Sequence, residues 1–259
     1  MQTSKLMVAV LVTSGCLVSS VIAADATNAV DKTGTEIKRV NDVGKYAVLL
    51  FHRKGDDSSA VREAVKKVVD ESKGRAEAVE AEVSDPASSG TVSKYGVSRA
   101  PLPLVLAIAP NGAVTGGFPG KCDPKALSEA MFGPKAATCL KTLQEGKVVL
   151  VCVQNATSKN AEAALKIVSE FKADQRISEF AESVVIDPAD QAENGFLGKL
   201  RVDPKSGVAT TVLVVPPGRI VGTYTNLVTK EAMFADLARA MQGSTCGSGG
   251  CGPSSGGCR

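Results

Sequence analysis

Unbroken apolar runs and helical apolar stripes alternate along the chain, and this alternation predicts an α/β protein. Residues 46–51 and 148–153 are continuous apolar runs, which are typical of strands buried on both faces of a sheet. Each run is followed by a segment, 58–72 or 160–172, in which apolar residues recur every three or four positions. That spacing predicts a helix packed on the sheet. The pattern therefore indicates two strand–helix units about a hundred residues apart.

The segments after each unit follow the same order of elements. Turn residues and short apolar runs predict strands, a proline-opened short helix, a hairpin and a closing helix. In the first half these lie at 76–83, 85–86, 104–108, 113–118 and 123–131. In the second half the strands lie at 184–186, 211–215 and 220–224, and the closing helix at 231–241, with Met233, Leu237 and Met241 predicted to face inward. A helix over about 136–144 joins the halves.

Short motifs at the joints of these elements also recur. Asp85-Pro86-Ala87 returns as Asp187-Pro188-Ala189, and the turn at Pro110-Asn111-Gly112 returns at Pro216-Pro217-Gly218. Because the matches fall in the same order, two copies of one domain are the economical interpretation. We place the copies at residues 45–133 and 134–243, with the small, polar residues 24–44 as a linker in front.

The order of elements and three local motifs resemble the thioredoxin fold. The motifs are Lys94-Tyr95-Gly96-Val97, a proline shortly before a strand, and a hairpin that ends in Gly116-Gly117-Phe118. The resemblance covers both copies, roughly 200 of the 259 residues, and implies a central mixed sheet flanked by helices in each. It also implies a cis proline, for which Pro101 is the match and Pro103 a nearby competitor. The second copy has no proline at residues 206–210.

The resemblance also locates a redox site that this chain has lost. Thioredoxin-type enzymes place a Cys-x-x-Cys at the start of the first long helix, because the helix N-terminus lowers the pKa of the leading thiol. The matching segments run from Asp56 to Ser59 in the first copy and from Thr157 to Asn160 in the second. Neither segment contains sulfur. Dithiol exchange is therefore not expected at the family's site, and we lean away from an enzyme.

Ser58 or Ser59 beside His52, with Asp56 or Asp57 as an orienting group, could instead form a nucleophile and base. His52 is the single histidine in the chain, so a mechanism that needs an imidazole must use it. Aspartate and serine at a helix start are, however, what helix capping alone selects. We therefore favour capping over a hydrolase.

Residues 1–23 have the features of a secretory signal peptide: Lys5 is followed by apolar or small residues, and Ala23 ends a small-residue cleavage site. Export to a periplasmic or extracellular location follows. An uncleaved anchor competes, but the stretch barely reaches the ~20 residues that a spanning helix needs. Cys16 also lies in a degenerate lipoprotein box, so a lipid anchor there is a disfavoured alternative.

Cleavage after Ala23 leaves six of the seven cysteines. Cys152 lies inside the apolar run at 148–153, where a cysteine behaves as a small buried hydrophobe. Cys122 and Cys139 flank the junction of the copies and are a candidate disulfide, which would stabilise an exported protein by roughly 3 kcal/mol. The alternative is two unpaired thiols facing different ways.

The remaining cysteines, Cys246, Cys251 and Cys258, lie in residues 244–259, a glycine- and serine-rich segment predicted to be a flexible tail. Soft thiolates prefer Cu(I) or Zn(II), so this tail is a candidate metal site. Three alternatives remain open: exchangeable disulfides, intermolecular cross-links, and an inert end. The odd number of thiols favours a metal or a partner.

Composition narrows the function classes further. Charged residues make up 22% and nearly balance at a net charge of +3, which argues against nucleic-acid binding. No segment of the mature chain is apolar for long enough to cross a bilayer. We therefore predict an exported, non-catalytic thioredoxin-like binding protein with a protein partner, whose tail binds or delivers a soft metal ion. The alternatives are thiol–disulfide exchange by the tail, or a scaffold role in the cell envelope.

Overall fold

The structure, a computed structural model, describes residues 31–242 and contains two consecutive α/β domains. The first consists of α1 (Lys32–Asp42), β1 (Tyr46–His52), α2 (Ser59–Glu71), β2 (Ala76–Glu82), α3 (Ser89–Lys94), β3 (Leu104–Ile108), β4 (Val114–Pro119) and α4 (Pro124–Glu129). The second consists of α5 (Pro134–Gln144), β5 (Val148–Val153), α6 (Ala161–Lys172), β6 (Ala181–Ile186), α7 (Asn194–Lys199), β7 (Thr210–Val215), β8 (Arg219–Tyr224) and α8 (Lys230–Gln242). Single 3-10 turns precede α3 and α7 and follow α3.

Both sheets have the same topology. The strand orders are β2-β1-β3-β4 and β6-β5-β7-β8. In each sheet the first two strands of the domain run parallel, and the last two add antiparallel strands on the other side. This mixed arrangement, with a helical crossover between the parallel strands, confirms the predicted pair of tandem thioredoxin-like domains.

The central strands β1 and β5 are buried almost throughout, as their apolar sequences predict. In the first domain α2 and α4 cover one face of the sheet, and α1 and α3 cover the other. The stripe on α2 buries Val61, Val65 and Val68. Burial of each such side chain is worth roughly 1.5–3 kcal/mol before entropy is subtracted. The second domain has the corresponding arrangement, with α6 and α8 on one face and α5 and α7 on the other.

Helix α1 occupies most of the segment predicted to be a linker, so that prediction is wrong from Lys32 onward. The helix buries only Thr33, Ile37 and Val40, a stripe too sparse to give a clear apolar period. Asp31 is the N-cap, since its side chain accepts a hydrogen bond from the Gly34 amide at 2.9 Å. The first domain therefore begins with α1 and not with β1, so the repeated unit starts with a helix.

One side chain that was predicted to face inward is exposed, and so is an apolar side chain of α6. Met241, near the end of α8, is 67% exposed, and Leu165 of α6 lies at the surface. In both helices the buried stripe is narrower than predicted, because only Val168 and Phe171 of α6 and Met233 and Leu237 of α8 are fully covered.

The leading helices α1 and α5 make equivalent joints in the two domains. Each ends at a glycine with positive φ, Gly44 and Gly146. The hydroxyl of Thr33, near the start of α1, lies 2.9 Å from that of Ser88. At the same place in the second domain, the Lys135 amide donates to the Glu193 carboxylate at 2.7 Å. The duplication therefore includes the leading helix.

Helix α5 also connects the two domains, because its opposite faces belong to different cores. Ala137 packs in the core of the first domain, whereas Cys139 and Leu143 pack in the core of the second. At its end, the Gln144 amide accepts from the main chain of Val114 at 3.1 Å and donates to it at 2.7 Å. The helix therefore covers the free edge of β4.

The N-terminus of α5 is held by a buried carboxylate. Glu193, which directly precedes α7, is 0% exposed and accepts hydrogen bonds from the amides of Lys135 and Ala136 at 2.7 and 3.0 Å. A negative charge is favourable there, because the helix dipole and the unpaired amides both point at it. Next to this joint, the rings of Phe132 and Phe196 meet edge to face at 5.8 Å.

We expect the Glu193→Gln variant to lose about 1–3 kcal/mol in the free energy of unfolding, because the glutamine amide group cannot accept from the second amide. Gly133→Ala is expected to destabilise as well, since its Cβ would overlap the Glu193 carboxylate. Denaturant unfolding monitored by circular dichroism measures both. The control, Glu170→Gln, removes an exposed carboxylate and should change stability by no more than about 0.5 kcal/mol. Equal stability of Glu193→Gln and the control would contradict this role.

Candidate functional site

The first candidate site is the mouth of α2, where the resemblance placed the lost dithiol. Ser59 is the first helical residue, and Asp56 lies in the exposed loop before it. Asp57 accepts from the Ser59 amide at 3.1 Å and from its hydroxyl at 2.6 Å. These two bonds lower the pKa of the Asp57 carboxyl. Residues 53–62 contain no cysteine, so the mouth has no thiol whichever pair of positions is compared.

Ser58 is the N-cap of α2 by position, but its side chain makes no capping bond. The residue is only 2% exposed, and its Oγ has no hydrogen-bond partner among residues 31–242. The prediction that Ser58 or Ser59 caps the helix is therefore wrong. Asp57 takes over, because its carboxylate reaches the Ser59 amide in a local turn.

The cis proline near this mouth is Pro103 and not Pro101. The Leu102–Pro103 peptide bond is cis, whereas Pro101 is not preceded by a cis bond. Pro103 directly precedes β3, and its carbonyl accepts from the Gly120 amide at 2.7 Å. Because Pro101 and Pro103 are only two positions apart, the sequence alone could not show which of them is cis.

The mouth of α6 in the second domain is closed by its own chain. Asn160, at the N-cap position, has positive φ and no side-chain capping bond. The Lys159 amide donates to the Gly207 carbonyl, and the Ala209 amide donates to the Lys159 carbonyl, both at 2.9 Å. This short bridge satisfies the main chain of the loop before β7, so these groups are not free to pair with a peptide.

The serine–histidine alternative lacks the required contact. His52 Nε2 lies 3.6 Å from the Glu80 carboxylate, and its Nδ1 lies 3.3 Å from the Arg53 carbonyl. The Ser59 hydroxyl donates to Asp57 instead. A nucleophile and its base need a direct hydrogen bond or one bridging water. No hydrogen bond joins the Ser59 and His52 side chains.

The three cysteines within residues 31–242 are all unpaired, and burial raises the pKa of each thiol. Cys122, Cys139 and Cys152 are free thiols, so the predicted Cys122–Cys139 disulfide is not formed. The reason is geometric: Cys122 packs on the core of the first domain, while Cys139 lies in that of the second. Burial raises the pKa of Cys122 to about 11, that of Cys139 to about 12 and that of Cys152 to about 11. Glu193 adds to the shift at Cys139.

Several predicted residues lie outside the described range. These are Cys16 in the leader and the tail cysteines Cys246, Cys251 and Cys258. Within residues 31–242, no group of three or more histidine, cysteine, aspartate or glutamate side chains could hold a metal ion. The same range contains no helix that is long and apolar enough to cross a membrane.

A cleft between the two domains is a second candidate site, which no sequence motif indicated. Its volume is about 470 Å³. It is lined by residues that lie far apart in the chain, among them Tyr46, Arg75, Asn111, Phe132 and Thr138. Tyr46 donates from its hydroxyl to the Phe132 carbonyl at 2.8 Å across the junction. Such a site arises from domain packing, so no local motif could have predicted it.

Comparison with known proteins identifies no family for this chain. No protein-family model and no curated protein sequence matches the chain. Among solved structures, the zinc-bound form of human ERp44 aligns with 80% of this chain and 57% of its own, at 12% identity and a TM-score of 0.32. The first two thioredoxin domains of Saccharomyces cerevisiae Eps1p align with 79% of this chain and 95% of their own, at 11% identity and a TM-score of 0.30. A mutant thioredoxin from Halobacterium salinarum aligns with 37% of this chain and 79% of its own, at 21% identity and a TM-score of 0.28. At these scores the likenesses carry no argument, and the fold rests on the sheet topology.

The raised thiol pKa values give a testable reactivity. In a variant with Cys16, Cys246, Cys251 and Cys258 changed to serine, we expect the native protein to react with Ellman's reagent at neutral pH about a hundredfold more slowly than a free cysteine peptide, because the thiolate is the nucleophile. Since the folded-state pKa values exceed the ordinary value of 9.0, the rate should keep rising above pH 9. Unfolding in denaturant is the control and should release three fast thiols. A native thiol that reacts at the free rate would contradict the described burial.

Proposed function

We propose that this chain is an exported, non-catalytic binding protein, in which the thioredoxin-like pair docks a protein partner and the cysteine tail binds or delivers a soft metal ion. One observation carries the proposal: both helix mouths lack sulfur, while burial raises the pKa of each thiol in the described range well above neutral pH. Thiol chemistry near neutral pH therefore falls to the tail cysteines of the mature chain.

The first domain is the better candidate for docking a partner. The main chain of Leu102, next to the mouth of α2, makes no hydrogen bond to any residue of the described range. The equivalent loop of the second domain is paired with Lys159. An extended peptide could pair with the free amide and carbonyl of Leu102, as peptides do at exposed strand edges.

The tail suits a soft metal for chemical reasons. Cys246, Cys251 and Cys258 are separated by glycine, serine and the single proline Pro253, and the glycine and serine place little restriction on how the thiolates converge. Three sulfurs can complete a trigonal Cu(I) site, or leave a fourth Zn(II) position for a ligand from the partner. Coordination requires deprotonated thiols, so affinity should fall as the pH is lowered.

Export supports the same role. The leader at residues 1–23 has the composition of a signal peptide, and cleavage there would deliver the chain to the periplasm or the extracellular space. A lipid on Cys16 would instead tether the same domains to a membrane surface.

We expect the purified protein, under reducing conditions, to take up about one equivalent of Cu(I) or Zn(II), and a variant with Cys246, Cys251 and Cys258 changed to serine to lose that uptake. Titration against a chromophoric chelator measures the stoichiometry. The control changes Ser248 and Ser254 to alanine, which alters the tail but keeps its thiols, and should bind like the wild type.

Three outcomes would contradict the proposal. Unchanged metal uptake by the triple-serine variant would show that the metal binds outside the tail. Turnover of insulin or glutathione disulfide that is lost in that variant would instead make the tail a thiol–disulfide exchange site. Failure of both assays to respond would leave the scaffold role.

A further inference from the structure

The interdomain cleft combines an apolar floor with a single cationic side chain. Its walls include Pro110, Phe132, Pro134 and Ala137, which offer ring and methyl surfaces. At about 470 Å³ it lies within the range of small-molecule sites, which often occur at domain interfaces. None of the residues that line the cleft belongs to the tail.

Arg75 supplies the charge. The residue is exposed and lines the cleft, and its Nε donates to the Ser72 carbonyl at 3.4 Å. Its guanidinium makes no ion pair with a carboxylate among residues 31–242. The terminal Nη groups are therefore available to a ligand, in the fork geometry that suits a carboxylate or sulfonate.

The other polar groups of the cleft complement this donor. The Asn111 side-chain oxygen is used, because it accepts from the Ala113 amide at 3.1 Å, which leaves the Asn111 NH₂ free to donate. Tyr46 and Thr138 already donate their hydroxyl protons to main-chain carbonyls. Both hydroxyl oxygens can still accept a hydrogen bond. The free donors are thus on Arg75 and Asn111, which favours an anionic acceptor.

A nearby carboxylate does not cancel the preference of the cleft for an anion. Glu193 lies beside the cleft, but its carboxylate faces the amides of α5. Burial raises the pKa of Tyr46 to about 12, with Glu193 adding to the shift and Arg75 opposing it. Arg75 and Tyr46 line the same cleft, and a neutral Tyr46 adds no charge to it near neutral pH.

Hydrogen bonds hold the walls of the cleft. The Tyr46 bond to Phe132 and the two Gln144 bonds to Val114 join the segments on either side of the junction, and the Glu193 bonds hold α5 within the second domain. A preformed cavity loses little binding energy to ordering its own walls.

We propose that this cleft binds a small amphipathic anion, an aromatic or short aliphatic carboxylate or sulfonate, with Arg75 holding the charged group and the apolar body lying against Phe132. Neither the thioredoxin-like fold nor the proposed metal binding by the tail requires such a site.

Anilinonaphthalenesulfonate, an aromatic anion, is a direct probe of this site. The chain has no tryptophan, so probe fluorescence is not mixed with indole emission. We expect the full chain to bind one equivalent, and Arg75→Gln to weaken binding at least about tenfold through loss of a charged hydrogen bond. The uncharged analogue phenylnaphthylamine should bind both proteins equally. Arg99→Gln is the matched control, because it removes an exposed arginine without an ion pair in the described range and should change nothing.

Two further arms keep the test decisive. Thr138→Phe adds a ring at an exposed position that lines the cleft and should weaken both probes, while an unchanged unfolding transition shows that the variant is folded. Phenylpropionate should displace the bound sulfonate, and its amide should not. Equal probe affinity for Arg75→Gln and wild type, no effect of Thr138→Phe, or equal displacement by the amide would overturn the proposal.

Discussion

The carboxylate of Glu193 at the start of α5 is the interaction on which the two-domain structure depends. A fully buried carboxylate is costly unless its charge is compensated, and here the compensation comes from two amides and the positive end of the helix. Glu193 belongs to the second domain and directly precedes α7, whereas the helix that it holds also packs into the core of the first. The position of α5 therefore fixes the relation between the two sheets.

That constraint explains why the remaining features of the junction occur together. With α5 fixed, Gln144 reaches the edge of β4 and Tyr46 reaches the Phe132 carbonyl. The same packing places Cys139 in the second core, away from Cys122, so the two thiols stay apart without a disulfide. The hydrogen bonds at the junction also hold the walls of the cleft. A chain without a dithiol at either helix mouth thus retains well-defined surfaces, which is what a binding role requires.

The strongly patterned part of the fold could be predicted from the sequence. The strand at Val148–Val153 was predicted at its observed bounds, and the predicted β1 ended one residue before the observed end at His52. Both predictions succeeded because a short, continuous apolar run between polar segments is typical of a buried strand. Helix α1 was missed because Ile37 and Val40 are too few to reveal a period. Cys152 was predicted to be buried and is 1% exposed.

The site was less predictable, for reasons that concern tertiary structure. The absence of sulfur at the helix mouths could be seen directly, since it needs only the order of elements. Which proline is cis, which aspartate caps α2 and whether two cysteines meet all depend on geometry that spacing does not determine. Arg75 and Phe132 belong to different segments, and packing alone brings them to one cleft.

Because the two copies share α5, we expect them to unfold together. Differential scanning calorimetry of the full chain measures this cooperativity by comparing the calorimetric with the van't Hoff enthalpy. A single transition with a ratio of about one is the predicted result. Two resolved transitions, or one broad transition with a van't Hoff enthalpy of about half the calorimetric value, would show that the domains unfold independently and would contradict the account.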